Sequence, residues 1–439
     1  MIRSPALFSL FSLLVFWAGD TTLIAHDGED DHSHNKPSKV KQAQRYKPSV
    51  IPDRMILTIS GDPRTTQSVT WRTSIDVARG LVEIAPADGS PSFTKKAEQF
   101  VASTELLESN LSKANYHSFT FKKLKPGTVY AYRVGDEGGN WTEWCQFKTA
   151  SDKPEKFSFV YFGDAQNNVR SMWSRVVREA YRDAPRAAFF LHAGDLINSA
   201  ESDGEWGEWF EAGGWLNRST PSIAVPGNHE QAKALVGTRL TKHWRPSFTL
   251  PENGPKGLEE SCYTLVYQNL RVIGLNSNRM LDEQAKWMDA VLQKNTSPWI
   301  VCSFHHPVFS TGRDRDNAEL RKRWKPIFDK YQVDLVLQGH DHTYGRTGLD
   351  VPSIGAFAKY MKEEKAKAEA AKKAAEAEKA AKEGTENGGA EKKETEQLGT
   401  VVSRLVDAIP VAIRAAEAKI ESNVPTGVQK VDPVSGTVY

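Results

Sequence analysis

The sequence predicts a multidomain chain in which an all-β sandwich is followed by an α/β domain. Three observations predict this. Residues 48–150 carry short alternating or β-rich runs separated by Gly, Pro and Asp turns. From about residue 155, apolar strand-like runs alternate with segments of helical apolar spacing. In that second region five polar clusters each stand just after an apolar run: Gly163-Asp164-Ala165-Gln166, Gly194-Asp195-Leu196-Ile197-Asn198, Gly227-Asn228-His229-Glu230, His305-His306-Pro307 and Gly339-His340-Asp341-His342. Strand ends that meet loops are where α/β folds gather their chemistry.

Composition sets the outer limits. A chain of 439 residues has room for two or three domains, and apolar and charged fractions of 39% and 26% allow a sizeable core. A net charge of +2 argues against a strongly basic nucleic-acid binder, so no nucleic-acid partner is expected. The three cysteines, Cys145, Cys262 and Cys302, are no disulfide framework, and their odd number leaves at least one thiol free or paired elsewhere.

Taken in order, residues 1–25 read as an export signal. Arg3 gives a basic start, and Ala6 to Gly19 is an apolar stretch too short for a comfortable membrane span. Cleavage is expected after Ala18 or Ala25, with an uncleaved N-terminal anchor as the alternative, and the destination is secreted, periplasmic or cell envelope. Residues 26–47 are polar and aperiodic and read as a disordered linker. Strands are expected at 56–59, 68–73 and 116–121. The segment Leu124-Lys125-Pro126-Gly127-Thr128-Val129-Tyr130-Ala131-Tyr132-Arg133-Val134 resembles the tyrosine-corner segment of fibronectin type III domains. That resemblance implies that Tyr130 bonds back to the backbone and that Trp71 fills the space between two sheets.

Strands are then expected at 157–162, 187–191, 223–225, 299–304 and 335–337, with helices at Asp282–Gln293 and Asn317–Tyr331. Residues 360–396 shift to Lys, Ala and Glu and read as a solvated insertion, helical from Tyr360 to about Glu383. Residues 397–422 are more amphipathic. The last residues, Gly436-Thr437-Val438-Tyr439, read as the start of a strand, so the α/β domain spans 155–350 and is possibly completed by 425–439.

The clusters include the carboxylates of Asp164 and Asp195, the amide of Asn228 and several imidazoles. That is the donor set a pair of hard-to-borderline metal ions needs, and paired cations serve to hydrolyse phosphate esters. In order and spacing, residues 155–346 resemble the calcineurin-like metallophosphoesterase superfamily. With a fibronectin-like sandwich in front, the resemblance is nearest to the purple acid phosphatase branch.

It implies a four-layer α-β-β-α domain holding two metal ions (Fe, Zn or Mn) and a phosphate ester substrate. Asp164 and His342 would bind the first metal. Asn228, His305 and His340 would bind the second, and Asp195 would bridge both. The two-residue spacing of His340 and His342 places them on one side of an extended chain. His229 would sit beside the substrate, stabilising the transition state or protonating the leaving group, or else prop the loop. His306, Arg313, Arg315 and Arg346 are further phosphate contacts to test against packing or surface roles. The reaction implied is attack of a metal-bound hydroxide on phosphorus.

Two residues depart from the pattern. Asn198 stands where the purple branch has a tyrosine, which removes the iron–phenolate colour. Gln166 stands where other branches have a histidine, which leaves it to bind weakly through its amide oxygen or to orient a water. Three functions compete: a phosphomonoesterase, a phosphodiesterase or nucleotidase in which Glu205–Phe210 or Trp215 stacks on a base, and an inactive envelope binding protein.

Overall fold

In a computed structural model, the protein is described over residues 40–312 and 315–347. The expected export signal, the 360–396 insertion, the 397–422 segment and the 425–439 strand lie outside the described residues. The expected linker 26–47 needs a correction at its end. Gln42–Arg45 form a helical turn, α1. Tyr46 then buries its ring against Gly207, where an added Cβ would stand 2.5 Å from it, and donates its hydroxyl to Glu211 at 3.0 Å. This buried ring, with the Arg45–Glu211 ion pair and Arg72 donating to Tyr46 O, anchors a polar segment that has no periodicity of its own.

The sandwich comprises β1 (Asp53–Thr58), β2 (Gln67–Thr73), β3 (Gly80–Pro86), β4 (Glu98–Val101), β5 (Ser103–Glu108), β6 (Lys113–Phe121), β7 (Val129–Asp136) and β8 (Cys145–Lys148). One sheet runs β5-β6-β2-β1 and the other β4-β3-β7-β8. Alternate residues point inward, so Leu57, Val69, Trp71 and Phe121 meet Val82, Ile84, Tyr132, Val134 and Phe147. Trp71 is fully buried there, and Tyr130 accepts the Lys125 N–H at 2.9 Å, which is the corner the sequence implied.

The chain does not break into separate sheets near residue 150. The next strands, β9 (Val160–Phe162), β10 (Phe190–His192) and β11 (Ser222–Ala224), are parallel, and β11 pairs with β1 through Thr58 and Ser222. One seven-stranded sheet therefore runs β5-β6-β2-β1-β11-β10-β9 across both halves. This explains why every residue of β2 is buried: its second face is covered by the α/β half, where Thr70 donates to Ser247 O at 2.6 Å.

Helices α2 (Ser174–Asp183) and α3 (Asp203–Gly213) cover the outer side of the β9–β11 part. Trp173 and Trp209 there pack around Phe162 and His192. A hairpin of β12 (Gln231–Lys233) and β13 (Thr238–Leu240) and a short α4 (Trp244–Ser247) lead to the second sheet. This sheet is β14 (Tyr263–Tyr267), β15 (Leu270–Gly274), β16 (Trp299–Ser303) and β17 (Leu335–Leu337), in sequence order. Its two faces follow the period of two. Leu270, Val272 and Val301 face the first sheet. Ile273, Ile300, Cys302 and Val336 face α5 (Leu281–Gln293) and α6 (Ala318–Tyr331). The result is the expected α-β-β-α stack, with the C-terminal strand ends opening toward one loop cluster.

Candidate metal centre

The backbone first marks the site. Asp164, Asp195, His340 and His342 have φ of 46, 51, 81 and 51°, a left-handed conformation that residues with a side chain rarely adopt. Each follows the end of β9, β10 or β17, so the loops turn back sharply and aim these side chains into one space. Glycines make the approach possible. A Cβ at Gly339 would lie 2.4 Å from Asp164 Oδ2, and one at Gly194, where φ is 91°, would lie 2.5 Å from Gly227 N.

One donor set is tightly converged around the buried His305 and Asp195. His305 Nε2 lies 2.9 Å from Asn228 Oδ1, 3.0 Å from Asp195 Oδ2 and 3.1 Å from His340 Nδ1. The other ring nitrogen, Nδ1, faces Ala193 O at 2.9 Å. Nδ1 therefore donates to Ala193 O, an outer contact typical of metal-binding histidines, and Nε2 is the nitrogen turned to the site. Donor atoms of Asp195, His305 and His340 all fall within 4.8 Å of one another.

A second set lies beside it. Asp164 accepts the His340 N–H through both oxygens, at 2.9 and 2.8 Å. His342 Nε2 is 3.7 Å from Asp164 Oδ1 and 2.7 Å from Gln166 Nε2. The structure thus places Asp195, Asn228, His305 and His340 together, with Asp164 and His342 beside them. The spacing argument for His340 and His342 fails, however. The chain there is left-handed, not extended, and the two rings serve different groups.

His229 stands at the edge of the site. Its N–H donates to Asp195 Oδ1 at 2.9 Å, its Nδ1 faces Asn198 O at 2.6 Å, and its Nε2 lies 3.9 Å from Asp195 Oδ2. Asn198 therefore takes part through its backbone, and Glu205 accepts the N–H groups of Asn198 and Ser199 at 2.8 Å each. His306 packs on His340 with ring centroids 4.5 Å apart and pairs with Ser277, which makes it a support for a ligand ring. Arg315 donates to His340 O at 2.9 Å, Arg346 is exposed, and Arg313 lies outside the described residues.

Two functional carboxylates escaped the sequence reading. Glu230, fully buried, accepts the N–H groups of Asp195, Leu196 and Gly227 at 2.8, 2.8 and 2.7 Å and so ties two ligand loops together. Asp341 accepts from Ser310 Oγ and from Thr311 and Gly312 N–H at 2.7, 2.7 and 2.9 Å, joining the last loop to the one after His306. An acid inside each motif, at Gly-Asn-His-Glu and Gly-His-Asp-His, was the available signal.

Electrostatics fit a cation. Burial raises the Asp164 carboxyl, and the nearby charge of Asp195 adds to the rise. Burial also opposes ionisation of Asp195, but its bond to His305 and that imidazole's charge hold it below the ordinary value. His340 is pushed down to about 4 by burial and by His305. The site concentrates carboxylate, amide and imidazole lone pairs in a water-poor space, and positive ions would relieve that concentration. The donor types fit Fe, Zn or Mn.

Residues 52–149 match the model for the purple acid phosphatase N-terminal domain, and residues 157–344 match the calcineurin-like phosphoesterase model. The chain belongs to the calcineurin-like, purple acid phosphatase-like proteins. It is 28% identical over 342 residues to mouse acid phosphatase type 7, covering 70% of this chain and 73% of that protein. Purple acid phosphatase 18 of Arabidopsis thaliana is 25% identical over 329 residues, covering 72% and 71%. An uncharacterized protein of Mycobacterium tuberculosis is 26% identical over 329 residues, a match covering 64% of this chain and 60% of the length of the mycobacterial relative. The solved structure of purple acid phosphatase PPD1 from yellow lupin seeds shares the fold, with a TM-score of 0.58 at 18% identity, covering 69% of this chain and 60% of that one.

Proposed function

We propose that this chain is an exported phosphatase that hydrolyses phosphate monoesters at a centre for two metal ions. The observation that carries the reading is the convergence of Asp195, Asn228 and His340 on His305 Nε2, within 3.1 Å, with Asp164 and His342 alongside. Membership of a metal-dependent phosphoesterase family supports it.

Asp195, Asn228, His305 and His340 would hold one ion. Asp164 and His342 would hold the other, with Asp195 shared. When bound, the ions supply Lewis acidity toward the phosphoryl oxygens and an activated water as nucleophile. The chain's own residues do the remainder. Ala193 O holds Nδ1 of His305, so Nε2 is the ring nitrogen that would face an ion. His229 is oriented by Asn198 O, which turns Nε2 toward the centre, where it would hold a proton for the departing alkoxide. Glu230 and Asp341 keep the ligand loops in register, so little rearrangement is needed at the moment of reaction.

Base stacking by the Glu205–Phe210 stretch finds no support. Trp206 and Trp209 are fully buried in the core, whereas Trp215 is half-exposed and stands edge-on to Tyr181 with centroids 4.9 Å apart. Export rests on the reading of residues 1–25, and N-terminal sequencing of the mature protein from its host tests it. Among the described residues no helix is long and apolar enough to cross a membrane.

The functional test is hydrolysis of p-nitrophenyl phosphate against bis-p-nitrophenyl phosphate with Mn, Zn or Fe supplied in turn. Faster monoester cleavage supports the phosphatase. Faster diester cleavage moves the chain to the phosphodiesterases, and no turnover by folded, metal-loaded protein overturns the enzyme reading.

A further inference from the structure

We infer that the chain carries a second ligand site, away from the metal centre: a cleft beside the edge strand β14 that binds a small oxyanion, the phosphate or carboxylate group of a small molecule, on the guanidinium of Arg271.

The cleft holds about 490 Å³ and lies between the turn at residues 60–64 and the strands β14 and β15, with Pro251 and Asn253 also lining it. That volume falls within the usual range of small-molecule sites. The cleft stands apart from the metal ligands. β15 and β16 run parallel with Arg271 opposite Ile300, five residues before His305. At about 3.3 Å per residue, Arg271 lies roughly 16 Å back along the strands from that ligand. The site is therefore independent of the phosphatase reading.

Arg271 carries the argument. It is half-buried, and its guanidinium is fixed from two sides: Nε donates to Asn295 Oδ1 at 2.6 Å and Nη1 to Thr264 Oγ1 at 3.1 Å. Both partners are neutral. Among the described residues no carboxylate pairs with it, and burial pushes the guanidinium below its ordinary value with no acidic neighbour to offset the effect. Nη1 has a second hydrogen and Nη2 has two, so the end of the fork that takes two oxygens remains available. A half-buried cation held in place without a counter-charge is a preorganised receptor for an anion, because little side-chain freedom is left to lose on binding.

The rest of the wall agrees. Arg64 also lines the cleft, but Asp62 takes its Nε at 2.9 Å and its Nη2 at 2.7 Å. These two charges cancel, which leaves the lining with one net positive charge, that of Arg271. Gln268 adds a neutral donor. Its Oε1 accepts the Glu155 N–H at 2.9 Å, and its Nε2 has no partner among the described residues.

Thermal unfolding of the metal-loaded full chain tests this, with chloride, inorganic phosphate or malonate supplied at constant ionic strength. For a dissociation constant on the order of 1 mM, about 20 mM anion should raise the wild-type midpoint by roughly 2–4 °C through this site. Anion held at the metal centre would add its own shift, so two variants isolate the share that belongs to Arg271. Val266 lines the cleft and stands directly opposite Arg271 on the neighbouring strand. Val266→Glu therefore sets a fixed carboxylate beside the guanidinium. It should raise the midpoint without added anion and abolish the Arg271 share of the shift. Arg271→Gln should abolish the same share. Both variants should hydrolyse p-nitrophenyl phosphate at the wild-type rate, which reports an intact fold and metal centre, and either suffices if the other fails to fold.

Loss of both anion shifts in the variants supports a general oxyanion site. Loss of the phosphate shift alone supports a site for phosphate, and loss of the malonate shift alone a site for carboxylates. Shifts in the folded variants equal to those of wild type would overturn the inference, as would a wild-type midpoint that neither anion moves.

Discussion

Glu230→Ala removes the one side chain that answers three buried backbone N–H groups: Asp195, Leu196 and Gly227. Each such donor left unpaired costs about 1–3 kcal/mol, so the sum is roughly 3–9 kcal/mol, a large part of the 5–15 kcal/mol that usually holds a domain together. Glu230→Gln should cost less. Its amide oxygen can serve the Asp195 and Gly227 donors that share Oε2, which leaves the Leu196 N–H facing an amide NH2, for about 1–3 kcal/mol. Guanidinium denaturation followed by tryptophan fluorescence reads both variants. With a denaturant slope of roughly 2–6 kcal/mol per molar, the alanine midpoint should fall by about 1 M or more and the glutamine midpoint by a fraction of that. Zinc retention should fall in the same order, because the freed N–H groups belong to the loops that carry Asp195 and Asn228. An alanine variant within about 1 kcal/mol of wild type would refute the claim that Glu230 ties these loops. So would a glutamine variant as unstable as the alanine one.

Four further outcomes are expected. His305→Ala or Asn228→Ala should abolish tight zinc binding and activity together, and unchanged metal content would contradict their assignment. His229→Ala should keep both metals but lower turnover on p-nitrophenyl phosphate by about 100- to 10,000-fold, the usual scale of a positioned proton donor; loss of metal instead would make it a structural support. Burial pushes His117, His192 and His243 down to about 4, 3 and 4, below an unfolded value near 6.5. The unfolded chain thus binds more protons in acid, and stability is full above about pH 6.5 and lost as pH falls toward 4. At pH 5 this is about 2 kcal/mol per imidazole, and an unchanged denaturation midpoint between pH 7 and 5 in the metal-free protein would contradict it. Asp203→Asn should cost about 3–5 kcal/mol, because Arg54 and Arg72 are both buried and lie 2.7 and 3.5 Å from its carboxylate; a loss below 1 kcal/mol would show that they find other partners.

Much of the fold was legible because period and punctuation are local. The inward alternation of β6 and β7, the corner at Tyr130 and the helices at 281–293 and 318–331 follow from patterns a few residues long. The ends of β9, β10, β16 and β17 were legible for the same reason, since each apolar run stops at a polar cluster. The short β12–β13 hairpin and helices α2 and α3 were missed. In α3, Trp206, Trp209 and Phe210 are buried among glycines and acids, a mixture with no clean apolar stripe. The ordering of residues 40–47 was missed too, because it depends on a glycine far along the chain.

The sequence by itself determined which donor atoms exist and roughly where each strand delivers them, since both are properties of neighbouring residues. It also showed the two departures, Gln166 and Asn198. Only the tertiary structure decided how the donors divide. His340 and His342 go to different groups because the loop between them turns left-handed, a choice made by contacts with Asp164 and with residues 310–312. Only the tertiary structure joined sandwich and α/β half into one sheet through Thr58 and Ser222, and only it showed that Glu230 and Asp341 tie loops together by accepting backbone N–H groups. These are meetings of segments distant in sequence. They are set by the packing of whole sheets, which no local pattern encodes.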